Sequence, residues 1–107
     1  MEAKTILIVE DDDSIAGFIV STIQQETHYQ AIRAIDGQHA VKLMHWLLPD
    51  LLILDYNLPG MNGIELYDRI HARKEFESVP AFMITAYQKV CADEAKLRHI
   101  LCLKKPF

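Results

Sequence analysis

Four stretches of unbroken apolar character constrain this chain more than anything else in it: Thr5-Ile6-Leu7-Ile8-Val9, Leu51-Leu52-Ile53-Leu54, Ala81-Phe82-Met83-Ile84 and Ile100-Leu101-Cys102-Leu103. A strand with one wet face alternates apolar and polar side chains. Continuous apolarity instead demands cover on both faces, as in a parallel sheet between two layers of helices. Tyr29 to Ile35 does alternate, and so predicts an edge strand. Between the strands the period changes to 3.6 residues. Ser14 to Glu26 places Ile15, Phe18, Ile19, Thr22 and Ile23 on one stripe and leaves Ala16, Gly17 and Val20 facing outward. Gly37 to Leu48 does the same with Ala40, Val41, Met44, Leu47 and Leu48, with Trp46 near the opposite side. Asn62 is a candidate N-cap for a helix carrying Ile64, Leu66, Tyr67 and Ile70. Tyr87 to Leu97 is a weaker helix with Val90, Cys91, Ala95 and Leu97 to bury. Strand and helix therefore alternate along the chain, which predicts the α/β class: an open, doubly wound, parallel five-stranded sheet. In such sheets ligands bind outside the carboxyl ends of the strands, where the strand order reverses.

The 107 residues have the length of one domain, spanning 1–107. Eleven Lys plus Arg against fifteen Asp plus Glu give a net charge of -4, with no basic run beyond a pair, so no nucleic-acid footprint is visible. No stretch approaches the about 18 to 20 apolar residues of a membrane span, and the N-terminus lacks an export pattern. A cytoplasmic domain is expected. In that compartment Cys91 and Cys102 are read as reduced thiols, since they match no zinc spacing.

The strand ends carry the chemistry. The first ends in Glu10-Asp11-Asp12-Asp13, the third in Asp55, the fourth in Thr85 and the fifth in Lys105-Pro106. Each piece alone is ordinary, because acids commonly open helices and a lone Thr or Lys carries no signal. Together they bring carboxylates, a hydroxyl and an amine to one rim. Adjacent carboxylates repel and stay ionised together only if they share a cation. An oxygen-only donor set suits Mg2+, with Mn2+ as the alternative.

These residues carry a resemblance to the receiver domain of two-component response regulators. Ile6-Leu7-Ile8-Val9-Glu10-Asp11-Asp12 resembles the acidic-pair strand of that family, and Leu51 through Asp55-Tyr56-Asn57-Leu58-Pro59-Gly60-Met61-Asn62-Gly63 resembles its phosphoacceptor loop. Ile84-Thr85-Ala86 and Lys104-Lys105-Pro106-Phe107 are similar to the other two signatures. The resemblance implies a flavodoxin-like strand order 2-1-3-4-5, and a phosphorylation-dependent signalling switch rather than an enzyme. It implies that Asp55 is the phosphoacceptor and that Glu10, Asp11, Asp55 and the backbone carbonyl of Asn57 hold Mg2+. Thr85 would bind a phosphoryl oxygen, and Lys105 would pair with the acceptor and the phosphoryl group. The implied partners are a histidine kinase or histidine phosphotransfer protein, an output domain fused beyond residue 107, or a second copy in a homodimer.

The chain also departs from the family. Cys102 stands where Tyr or Phe is usual, the span from Thr85 to Lys105 is about two residues short, and a Gly-Ala turn before the last strand is missing. The sequence ends at Phe107, before the family's fifth helix, so an apolar face is expected to be bare near the last two strands. Two rival functions remain. A degenerate receiver would bind partners without phosphorylation, yet every motif acid, the threonine and the lysine are present. An aspartate-nucleophile phosphohydrolase of the haloacid dehalogenase type would need a second Asp as general acid, where this chain has Asn57. His28, His39, His45, His71 and His99 lack ligand spacing and read as surface or packing residues, and Gly60 and Gly63 read as turn residues.

Overall fold

The computed structural model describes residues 4–86 and 88–105, with the backbone alone for residues 88–91. Five parallel strands, β1 (Thr5–Val9), β2 (Gln30–Ala34), β3 (Leu51–Asp55), β4 (Ala81–Thr85) and β5 (Leu101–Lys104), form one sheet in the order β2-β1-β3-β4-β5. This is the order that the resemblance implied. The helices are α1 (Asp13–Glu26), α2 (Gly37–Leu43), α3 (Gly63–His71) and α4 (Gln88–Leu97), with a 3-10 turn at Lys74–Phe76. The register pairs Val9 with both Ala34 and Leu54, Asp55 with Ile84, and Thr85 with Lys104, so the strand ends finish level along one rim.

Side-chain caps start the helices at that rim. Asp12 accepts from the Ile15 amide (3.0 Å) at α1, and Asp36 from the His39 amide (2.8 Å) at α2. Asn62 and Glu65 form a reciprocal capping box on α3, the arrangement expected of Asn62. On one sheet face α2, α3 and α4 bury Leu7, Val9, Leu52, Leu54, Leu66 and Met83. On the other, α1 covers Ile6, Ile8 and Ile84 through Ile19 and Ile23. Beyond α1, no described element covers that second face. Ile19, Ile53, Phe82, Ile84 and Leu103 line an apolar recess of about 180 Å³, and Leu103 is 43% exposed.

Several expectations need correction. The buried stripe of α1 is Ala16, Ile19 and Ile23, while Phe18 is 55% exposed. Periodicity cannot choose between two stripes that share Ile19 and Ile23, and packing has selected the smaller residue. Helix α2 stops at Leu43 rather than Leu48. Past Leu43 the Trp46 and Leu47 amides both donate to the Leu43 carbonyl (3.2 and 3.0 Å) in a turn, and Leu48, which Pro49 keeps from helical geometry, is left outside the core. In α4, Ala95 is buried but Leu97 is exposed, and the predicted start at Tyr87 and the burial of Val90 and Cys91 lie outside the described residues. Two residues past α4, His99 is the one non-glycine at positive φ (57°) among the described residues, with the Ile100 amide donating to the Ala95 carbonyl (2.9 Å). That left-handed cap takes the place of the missing glycine turn. Cys102 is in a disulfide and no free cysteine occurs among the described residues, so the reduced thiol expected there is overturned. A compartment argument carries no information about the distance between sulfurs.

Candidate functional site

Glu10 follows β1 and is fully buried, with its amide tied to the Ala34 carbonyl at the end of β2 (3.1 Å). Its side chain accepts from the Asp12 amide (3.2 Å) and from Lys105 Nζ (2.8 Å). The same ammonium lies 3.2 Å from Asp55 Oδ2, and the Asn57 amide donates to Asp55 Oδ1 (3.2 Å). Lys105 reaches this position because its own amide donates to the Thr85 carbonyl (2.7 Å), which holds the residue after β5 against the end of β4. Thr85 is fully buried and Asp55 is 3% exposed. The structure thus brings Glu10, Asp11, Asp55, Thr85 and Lys105 to one rim, with Asn57 beside Asp55.

Oxygen atoms of Glu10, Asp11 and Asp55 can all lie within 4.8 Å of one another, the one such group of potential metal ligands among the described residues. Burial raises the Glu10 pKa, and the shared contact with Asp55 adds to this, against the opposing Lys105 ammonium and Asp12 amide. Burial works against the Lys105 ammonium, yet the hydrogen bond to Glu10 and the negative charge of Asp55 win and hold its pKa up. One ammonium for the two buried carboxylates of Glu10 and Asp55, with the exposed Asp11 beside them, leaves negative charge uncompensated. A hard cation on oxygen ligands offsets this, so the donor set fits Mg2+ or Mn2+.

The four consecutive acids divide the work. Glu10 and Asp11 face the cluster, Asp12 caps α1, and Asp13 pairs with Arg33 Nη1 at 2.8 Å. Arg33 was missed by sequence reasoning. Its Nε also donates to the Glu10 carbonyl (2.8 Å), and its Nη2 is buried without a partner. The available signal was a lone cation in the one alternating strand, level with the acidic run. Gly60, at φ 83°, is the turn residue expected. Gly63 has a different reason: a Cβ there would lie 2.6 Å from the Asp55 carbonyl oxygen and 2.5 Å from Met83 Sδ. It lets α3 start against the end of β3.

The family described as response regulator receiver domain matches residues 6–107. The chain belongs to that family. Among curated relatives, the phosphate regulon transcriptional regulatory protein PhoB of Rhizobium meliloti is 37% identical over 81 residues, covering 76% of this chain and 35% of that protein. The receiver therefore spans about a third of that relative's length. Among solved structures, chemotaxis protein CheY4 of Vibrio cholerae superposes with a TM-score of 0.89 at 27% identity, covering 99% of this chain and 89% of that one. Response regulator protein TrrA of Thermotoga maritima, in complex with Mg2+ and beryllofluoride, gives 0.85 at 29%, covering 97% and 88%. Within this receiver Cys102, on β5, is disulfide-bonded.

Proposed function

We propose that this receiver is a phosphorylation-dependent switch whose acceptor is Asp55. The observation that carries the reading is the convergence of Asp55 and Lys105, with Glu10, in one buried pocket at the strand ends. A carboxylate oxygen of Asp55 attacks the phosphorus of a phosphohistidine in line. The new P–O bond forms as the P–N bond breaks, and the imidazole leaves with the bonding pair. Lys105 neutralises charge on the equatorial oxygens, Thr85 binds one of them, and the Asn57 amide holds Asp55 in position. Glu10, Asp11, Asp55 and the Asn57 carbonyl would hold Mg2+, or Mn2+. When bound, that ion supplies positive charge to the transferring phosphoryl group.

The donor would be a histidine kinase or histidine phosphotransfer protein in the cytoplasm, where no described helix is long and apolar enough to cross a membrane. It would approach over the outer side of α1, where Gly17 and Phe18 are exposed and Ala16 is not. The switch does not turn over a separate substrate, and its output would be an effector of the kind transcriptional regulatory relatives carry. Incubation with a small phosphodonor and Mg2+ is expected to add one phosphoryl mass to the wild type and none to Asp55→Asn. Equal labelling of both would overturn the assignment, and no labelling of either would point to a phosphorylation-independent receiver.

A further inference from the structure

Helices α2 and α3 both start at the rim that holds Asp55 and run back toward the amino ends of the strands. Their far ends, Met44 and Arg73, therefore lie at the opposite end of the molecule from the acidic cluster. Between them is a cavity of about 260 Å³ walled by Val41, Met44, Ile70 and Phe76, with Arg69 of α3 and Arg73, just past the end of that helix, on its edge. A second recess of about 230 Å³ shares Met44, Arg73 and Phe76 and extends the trough to Trp46 and Leu48, which are 81% and 63% exposed. Large apolar side chains left in water beside a hollow apolar floor mark an interaction surface.

The edge says what kind of occupant fits. In a chain of net charge -4, two guanidinium groups stand together here. Arg69 makes no ion pair among the described residues. Arg73 lies 5.0 Å over the Phe76 ring and pairs with Glu75, a contact between half-exposed groups that exchanges readily for another carboxylate. The cavity is smaller than the roughly 300–1,000 Å³ of small-molecule pockets, a size suited to one aliphatic or aromatic side chain.

We propose that this trough docks an acidic amphipathic helix of a partner protein, with an apolar residue entering the cavity and flanking carboxylates on Arg69 and Arg73. Because it lies away from the rim, docking leaves Asp55 accessible. The proposal therefore stands or falls apart from the phosphoacceptor assignment.

Trp46 is the one tryptophan of the chain and sits on the lip, so its emission reports occupancy. The probe is a synthetic helical peptide of about four turns, within the usual helix range, with Leu and Phe at i, i+3 and i+4 spacing between glutamates. Its twin has lysine in place of every glutamate. The acidic peptide is expected to shift Trp46 emission to the blue and to saturate, while the twin leaves it unchanged. The double variant Arg69→Glu, Arg73→Glu should weaken binding by at least about tenfold, since like charges then face each other. Arg69→Lys should keep most of it. Equal responses to both peptides, no response at any soluble concentration, or full binding by the doubly reversed variant would overturn the proposal. So would a blue shift that follows protein concentration alone, which would make a second copy the occupant.

Discussion

The same substitution, Gly to Ala, should act in opposite directions at two positions of this chain. At Gly63 the new methyl would meet Met83 Sδ at 2.5 Å, the Asp55 carbonyl oxygen at 2.6 Å and Tyr56 Cα at 3.1 Å. Two of these neighbours are backbone and the third belongs to a fully buried side chain, so none moves cheaply. The start of α3 must retreat, stretching the Gly63 amide's hydrogen bond to the Tyr56 carbonyl (2.8 Å). Overpacking of this kind costs about 1–3 kcal/mol, less the roughly 0.5–1 kcal/mol that Ala gains over Gly in a helix. A net loss centred on about 1 kcal/mol should lower the melting temperature by roughly 4–8 °C for a domain of this size. At Gly17, on the exposed side of α1, nothing lies within 4 Å of the added methyl. Gly17→Ala should therefore stabilise by about 0.5–1 kcal/mol and raise melting by roughly 2–8 °C. Thermal unfolding followed by circular dichroism reads both, and Gly63→Ala should also slow labelling by a small phosphodonor because its obstacles include the backbone of Asp55, the proposed acceptor. If the two variants shift in the same direction, or Gly63→Ala melts with the wild type, the close approach of α3 to β3 is refuted.

Two further outcomes test the α4 end. His99→Gly should stabilise the domain by about 0.5–1 kcal/mol, because a left-handed residue at the end of α4 is strained with a side chain and free of that strain as glycine; a lower melting temperature would contradict the cap. Arg98 forms a two-pronged pair with Asp68 (2.7 Å each), and these hydrogen bonds hold the Asp68 pKa below the ordinary carboxylate value. Its stabilisation is therefore present above about pH 4 and lost as pH falls through the lowered pKa. Asp68 is half-exposed, so Asp68→Asn should cost below about 1 kcal/mol at pH 7, and the difference from wild type should vanish in strong acid. A difference independent of pH would assign the effect to packing.

Strands β1 and β3 were legible because burial on both faces leaves a one-dimensional mark, whereas β5 carries the same mark yet leaves Leu101 and Leu103 exposed. The rim was legible because β1, β3, β4 and β5 each end in or just before a polar residue of the cluster. What was lost depends on neighbours distant in sequence. Arg33 reads as an ordinary outward cation on an edge strand until the pairing of Ile8 with Arg33 brings it level with the acidic run. Ala16 and Phe18 fit the same helical period, and only the space beneath α1 decides between them. The need for Gly63 is set by Met83 and Asp55, which its own local sequence cannot show. The disulfide at Cys102 likewise depends on a distance that spacing does not encode.

The contact between Glu10 and Lys105 joins residues 95 positions apart. Such closure is the slowest kind of contact to form, since the whole intervening chain must already be ordered. A polypeptide still emerging from the ribosome with its last strand unmade holds every acid of the pocket and lacks its ammonium. The buried cluster of Glu10, Asp55 and Lys105 is therefore complete only once the last strand has joined the sheet, so the proposed acceptor pocket is a property of the finished fold alone.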